Sequence, residues 1–185
     1  MKKSLTVLGI TAVAVILTIT WVVYFAEKAD EEIIVTNFKE CVDTGNPVME
    51  SYPRQCTAGG QTFVEDVGNE LEKANLIRLD SPRPNEVIAS PLTISGEARG
   101  YWYFEATFPV VLVDWDGRII GEHYAQAEGE WMTEDFVPFV ATLEFESPYK
   151  EGDPEFMRRG ALILRKDNPS GLPENDDALE ITIWF

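Results

Sequence analysis

The stretch from Leu5 to Phe25, LTVLGITAVAVILTITWVVYF, contains no charged side chain. Between Glu27 and Asn75 the apolar residues are scattered, and from Leu76 onward they fall into short runs that alternate with polar positions. Alternation at a period of two predicts half-buried β-strands, because successive side chains on a strand point to opposite faces. The expected strands are Leu76–Leu79, the run around Leu92 and Ile94, Phe108–Trp115, a return strand from Ile119, Phe139–Phe145, Ala161–Leu164 and Ile181–Phe185. Phe108–Trp115 is almost continuously apolar, as a central strand is. The proline-rich SPRPNE that follows Leu79 cannot belong to a central strand, since proline donates nothing to a ladder. Asp116-Gly117 offers two-residue turn chemistry, and helical periodicity is absent throughout.

About seven short strands separated by turn signals predict an all-β fold, an immunoglobulin-like β-sandwich. The Cys–Trp–Cys core of antibody domains is not available, because no cysteine falls in this region. One run, Tyr101-Trp102-Tyr103-Phe104, divides between two faces if extended: Trp102 with Phe104, and Tyr101 with Tyr103. One pair is expected in the core. The other, with Trp115 or Trp131, could form a platform for a glycan or a protein partner. Glu105 directly follows this run and is read as structural. A carboxylate buried beside so many rings would need backbone N–H partners.

The uncharged N-terminal run is long enough for a transmembrane helix over residues 5–26, since a hydrocarbon core of about 30 Å takes roughly 20 helical residues. Lys2 and Lys3 precede it, and Trp21 and Tyr24 fall where an interfacial aromatic belt belongs. Residues 1–4 are therefore expected in the cytoplasm, the helix as an uncleaved signal anchor, and everything after it outside. A cleaved signal peptide would end at a small-x-small site. The Ala-x-Ala here, Ala12 to Ala14, lies inside the apolar run instead.

A charged connector, residues 27–32, leads to a small segment, residues 33–66, that holds both cysteines of the chain, Cys41 and Cys56. An even pair in a short extracytoplasmic segment predicts a disulfide. Such a bridge supports a segment too small to build much core. A zinc site would need about four ligands, and the single histidine, His123, is distant. Tyr52 and Arg54, inside the closed loop, are read as packing it. The polar DVGNELEKAN supplies a linker at residues 67–75, and the sandwich occupies residues 76–185.

Charge narrows the function further. The chain carries a formal charge of -17 at pH 7. Such an acidic surface excludes nucleic acid as a partner, because binding phosphates requires clustered Lys and Arg. Asp114-Trp115-Asp116-Gly117 fails as an EF-hand loop, since aligning its glycine leaves Leu112 first and His123 last. Asp167, Asn168, Glu174, Asn175, Asp176 and Asp177 form a second acidic loop that could offer calcium oxygen ligands, weakly. No cofactor is expected. A Ser-His-Asp arrangement could use only His123, which falls in the return strand, so catalysis is not expected either.

The motifs IASPLTISGEARG, FEATFPVVLVDWDGRIIGE, PFVATLEF and LILRKDNPSGLPE together resemble the immunoglobulin-like domain of bacterial spore germination proteins, over about residues 76–185. This is the second of the germination- and sporulation-associated modules. The resemblance implies a β-sandwich, an exported or cell-surface location, and a binding or scaffolding role without catalysis. Upstream the chain departs from the germination proteins, with the apolar run and two-cysteine segment in place of their partner domain. The expectation is a membrane-anchored interaction or scaffolding protein of the cell envelope, its partner a protein or a glycan. A cell-wall glycan-binding module is the alternative, and an envelope hydrolase comes third.

Overall fold

A computed structural model describes residues 34–185. The expected anchor, cytoplasmic N-terminus and connector lie outside them. No helix among the described residues is long and apolar enough to cross a membrane.

The small segment folds as helix α1 (Phe38–Asp43) against a three-stranded sheet of β1 (Val48–Met49), β2 (Gln55–Ala58) and β3 (Gln61–Val64). Asn37 starts the helix, its side chain accepting from the Glu40 N–H at 2.9 Å, which satisfies one of the otherwise unpaired first-turn donors. Cys41 on α1 and Cys56 on β2 are fully buried and joined, with Cα atoms 6.0 Å apart. Together with Phe63 they form a separate small core. The expected disulfide is present.

Residues 67–75 are polar in sequence yet lie against the main domain. Val67 is buried, and Asn69 pairs with the C-terminal strand through its side chain, which donates to the Ala178 carbonyl at 2.9 Å and accepts from the Glu180 N–H at 2.8 Å. A one-turn helix α2 (Glu70–Lys73) follows, and Lys73 Nζ meets Asp177 at 2.5 Å.

Seven strands build the main domain: β4 (Ile77–Ser81), β5 (Leu92–Arg99), β6 (Thr107–Val113), β7 (Ile119–Ala127), β8 (Phe136–Leu143), β9 (Arg159–Arg165) and β10 (Ala178–Trp184). All pair antiparallel, in the order β10-β9-β6-β7-β8-β5-β4. β7 pairs with β6 along its whole length, but its ladder with β8 is confined to Gln126↔Val140 and Ala127↔Phe139, with the Glu128 N–H donating to Pro138 just beyond. That narrow corner lets the sheet fold on itself. Phe108 of β6 and Phe139 of β8 meet at 5.0 Å although β7 separates them in the hydrogen-bonded order.

The other edge is closed by the chain after β4. Asn85 and Ile88 donate to the carbonyls of Thr182 and Trp184, and Trp184 donates to Glu86, so residues 85–88 run parallel to β10. The prolines of SPRPNE thus sit where the chain crosses from one layer to the other. Alternation places Leu92, Ile94 and Ala98 of β5, Val137, Phe139, Ala141 and Leu143 of β8, and Ile181 and Ile183 of β10 inside. Each such Leu, Ile or Phe side chain removed from water contributes about 1.5–3 kcal/mol before entropy is subtracted.

The aromatic run departs from its expected geometry. Gly100–Trp102 is a 3-10 turn rather than a strand, so two adjacent residues, Trp102 and Tyr103, are buried while Tyr101 and Phe104 are exposed. Gly100 permits this turn: a Cβ there would lie 2.0 Å from the Thr133 carbonyl oxygen. Glu105 is exposed rather than buried. With Ala106 it makes a tight turn between Phe104 and Thr107, both residues having positive φ, 50° and 65°.

Candidate ligand-binding cleft

The β6–β7 hairpin carries the Asp-Trp-Asp-Gly motif, and Asp114 organises it. Its side chain is buried, and Oδ1 accepts from the backbone N–H groups of Asp116 at 3.0 Å and Arg118 at 2.9 Å. The backbone pairs Asp114 with Arg118, and the Gly117 N–H donates to the Asp114 carbonyl. The loop is therefore Trp115-Asp116-Gly117, three residues rather than the expected two, with Gly117 taking the left-handed conformation (φ 76°) that closes it. Asp114 is engaged by its own hairpin. That explains the motif without a metal.

Trp115 projects from the hairpin tip with 44% of its surface exposed. Phe156, from a 3-10 turn (Glu155–Arg158) just before β9, packs against it edge to face with ring centroids 5.0 Å apart. Arg158 anchors that turn by donating to the Phe185 carbonyl at 3.0 Å and covering the Tyr149 ring at 5.2 Å. Between hairpin and turn lies an open cleft of about 520 Å³. Trp115, Ile120, Pro148 and Met157 give its apolar wall, and Asp116, Arg118, Glu146 and Ser147 its polar rim. Among the described residues, no ion pair or hydrogen bond engages the Arg118 guanidinium or the Asp116 and Glu146 carboxylates.

The remaining expected binding aromatics do not join this cleft. Trp102 and Tyr103 are core residues: Tyr103 donates from its hydroxyl to the Val137 carbonyl at 2.7 Å and stacks on Phe108 at 5.2 Å. Desolvation pushes the Tyr103 phenol far above its ordinary range. Tyr101 is half exposed, and Trp131 lies partly buried against the core. Both sit at the opposite end of the sandwich from Trp115, in the loops leaving β5 and entering β8.

The acidic loop after β9 is held by its own hydrogen bonds. Asn168 donates to the Leu172 carbonyl and to Asp176, and accepts from Ser170. Asn175 donates to Ser170, and Asp177 is paired with Lys73. Glu174 is exposed on the short 3-10 turn Pro173–Asn175. Burial pushes the Asp167 carboxyl above its usual value, and the Glu105 charge adds to this against a hydrogen bond from Asn168. Among the described residues, no three His, Cys, Asp or Glu side chains converge as a metal site.

A second group of charges lies where the small segment meets the sandwich. Glu65 is buried and receives Arg54 through Nε, Nη2 and its backbone N–H, with Asn85 donating at 3.4 Å. Desolvation pushes its carboxyl up, but these hydrogen bonds outweigh it and hold Glu65 below the ordinary glutamate value. Glu70, also buried, accepts from the Tyr52 hydroxyl and faces Arg83 at 3.7 Å. There desolvation prevails over the Arg83 charge, and the Glu70 carboxyl is raised. Tyr52 and Arg54, both half exposed, thus reach out of their loop to the buried carboxylates of Glu70 and Glu65.

Residues 76–156 match the family described as the immunoglobulin-like domain of bacterial spore germination. This segment is a germination-type immunoglobulin-like domain. The match ends inside the turn that carries Phe156, and β9 and β10 complete the same sandwich beyond it. The germination-type domains form a non-catalytic fold family. No curated protein and no solved structure matches the chain. Phe156, Arg118 and Glu146 carry no sequence signal of a site: Glu146 reads as an outward position of the Phe139–Phe145 alternation, and only the fold brings it to Arg118 and the turn of Phe156. Trp115 stands out in the sequence only as one of several aromatics able to form a binding platform.

Proposed function

We propose that this protein is a non-catalytic interaction or scaffolding module of the bacterial envelope, anchored by its N-terminal run with both folded segments outside the membrane. The observation that carries the reading is the germination-type domain downstream of an uncharged stretch long enough to span a bilayer. The buried Cys41–Cys56 bridge supports it, since disulfides persist on the oxidising side of a membrane and rarely in the cytosol. The acidic surface suits a soluble domain held off anionic headgroups.

Protease treatment of intact cells with the wall removed tests the topology. Digestion of residues 34–185 from outside, with the epitope before Leu5 protected until lysis, is the expected pattern. Protection of the C-terminal domain in intact cells would overturn it.

A further inference from the structure

We infer that the cleft between the β6–β7 hairpin and the turn before β9 is a carbohydrate site, with Trp115 as its stacking platform. This rests on the envelope reading above and names the chemistry of the contact. Nothing in the fold requires tryptophan at a hairpin tip, where the core is out of reach and turns ordinarily carry small polar residues. The ring is nonetheless held: Asp114 fixes the loop through two backbone hydrogen bonds, and Phe156 sets the indole edge to face from a separate loop. A preorganised, half-exposed aromatic loses little rotamer freedom on binding.

The polar rim supplies the other half of sugar recognition. A pyranose has one face of C–H groups, which suits the negative face of an indole, and a periphery of hydroxyls that both donate and accept. Asp116 and Glu146 can accept from hydroxyls, and Arg118 can donate to them or to an acetamido carbonyl. All three are free of other partners among the described residues. One cation and two carboxylates at the rim, within a chain of charge -17, disfavour a polyanion such as nucleic acid or a phosphate-rich polymer. A volume of about 520 Å³ falls within the range of roughly 300–1,000 Å³ that takes small ligands, and the cleft is open to solvent. The occupant is a neutral or N-acetylated hexose oligomer.

The test uses the full chain in detergent micelles, titrated with the tetramers of N-acetylglucosamine and of glucose and followed by tryptophan fluorescence and calorimetry. Saturable binding of at least one tetramer is expected. Trp115→Ala should weaken it at least tenfold, Arg118→Ala severalfold, and Tyr101→Ala, at the far end of the sandwich, not at all. Thermal midpoints establish that each variant is folded, and Arg118→Ala stands in if Trp115→Ala is not. Binding that survives both cleft substitutions would overturn the site, and no binding at millimolar sugar would overturn the ligand class. A photo-crosslinker at position 115 separates the two readings. A single captured envelope protein, with no sugar bound, would sink the carbohydrate site while leaving the interaction role intact. The protease experiment judges that role's location independently.

Discussion

At the scale of single residues, two buried polar groups have opposite consequences. Asp114 accepts two backbone hydrogen bonds from its hairpin loop, adding to the backbone pair it makes with Arg118. Replacing it with Ala leaves those donors to water and an unfilled space, so Asp114→Ala should cost about 1–3 kcal/mol in urea unfolding. Asp114→Asn keeps an acceptor at the same place and should cost markedly less. Trp102 is the reverse case. Its ring is fully buried, yet its indole N–H is the one buried side-chain donor among the described residues without a partner. Trp102→Phe gives up ring area but removes that unsatisfied donor, two effects that largely cancel. It should cost less than about 1.5 kcal/mol, against the roughly 3–5 kcal/mol of Trp102→Ala. Equal losses in both variants would show that the indole N–H is satisfied in solution.

At the scale of elements, the strands were legible and the turns were not. Strands β5 and β8 follow directly from alternation, because one face of each meets the core and the other is the more exposed; β10 follows it only in part, since Thr182 on its outer face is buried too. The aromatic run at Tyr101 was misread because an apolar sequence that turns looks locally like one that extends. What bends it is contact with the Trp131–Thr133 backbone, some thirty residues away, which no local pattern encodes. The cleft suffered the same loss of signal, since Trp115 and Phe156 belong to different loops. The three-residue hairpin was half legible: Asp-Gly marked a turn, but the role of Asp114 depends on its burial. The Glu105-Ala106 turn hid for another reason. Two consecutive positive φ values normally go with Asn-Gly, and neither residue here signals them. Glu105→Asn with Ala106→Gly should therefore stabilise the protein by about 1–2 kcal/mol, read as a rise in the denaturation midpoint at unchanged slope. A loss of stability would mean that the two side chains make contacts worth more than the strain.

At the scale of the whole molecule, the small segment and the sandwich meet across charges whose titrations oppose each other. Glu65 lies below its ordinary pKa when folded. Its contribution is thus present at neutral pH and lost as the pH falls through that depressed value. Glu70 lies above its ordinary value. Its contribution is fully present below the ordinary glutamate range and lost as the pH rises through the elevated one. Glu65→Gln should therefore be destabilising at pH 7, by about 1–3 kcal/mol given that Arg54 is half exposed, with the deficit shrinking toward pH 3. Glu70→Gln should be neutral or stabilising at pH 7 and lose that advantage near pH 4. Urea unfolding across this range checks both signs. Parallel profiles for the two variants would show that they share one environment.

The parallel run of residues 85–88 beside β10 closes the sandwich, and it also determines how the domain bears load. Because the two segments run in the same direction, tension between the chain before Asn85 and the C-terminus slides them past each other. The bonds from Asn85 to Thr182, Ile88 to Trp184 and Trp184 to Glu86 then bear the force together. An antiparallel closure would open them one at a time, like a zipper. The domain is thus arranged to resist stretching between the chain before Asn85 and its C-terminus.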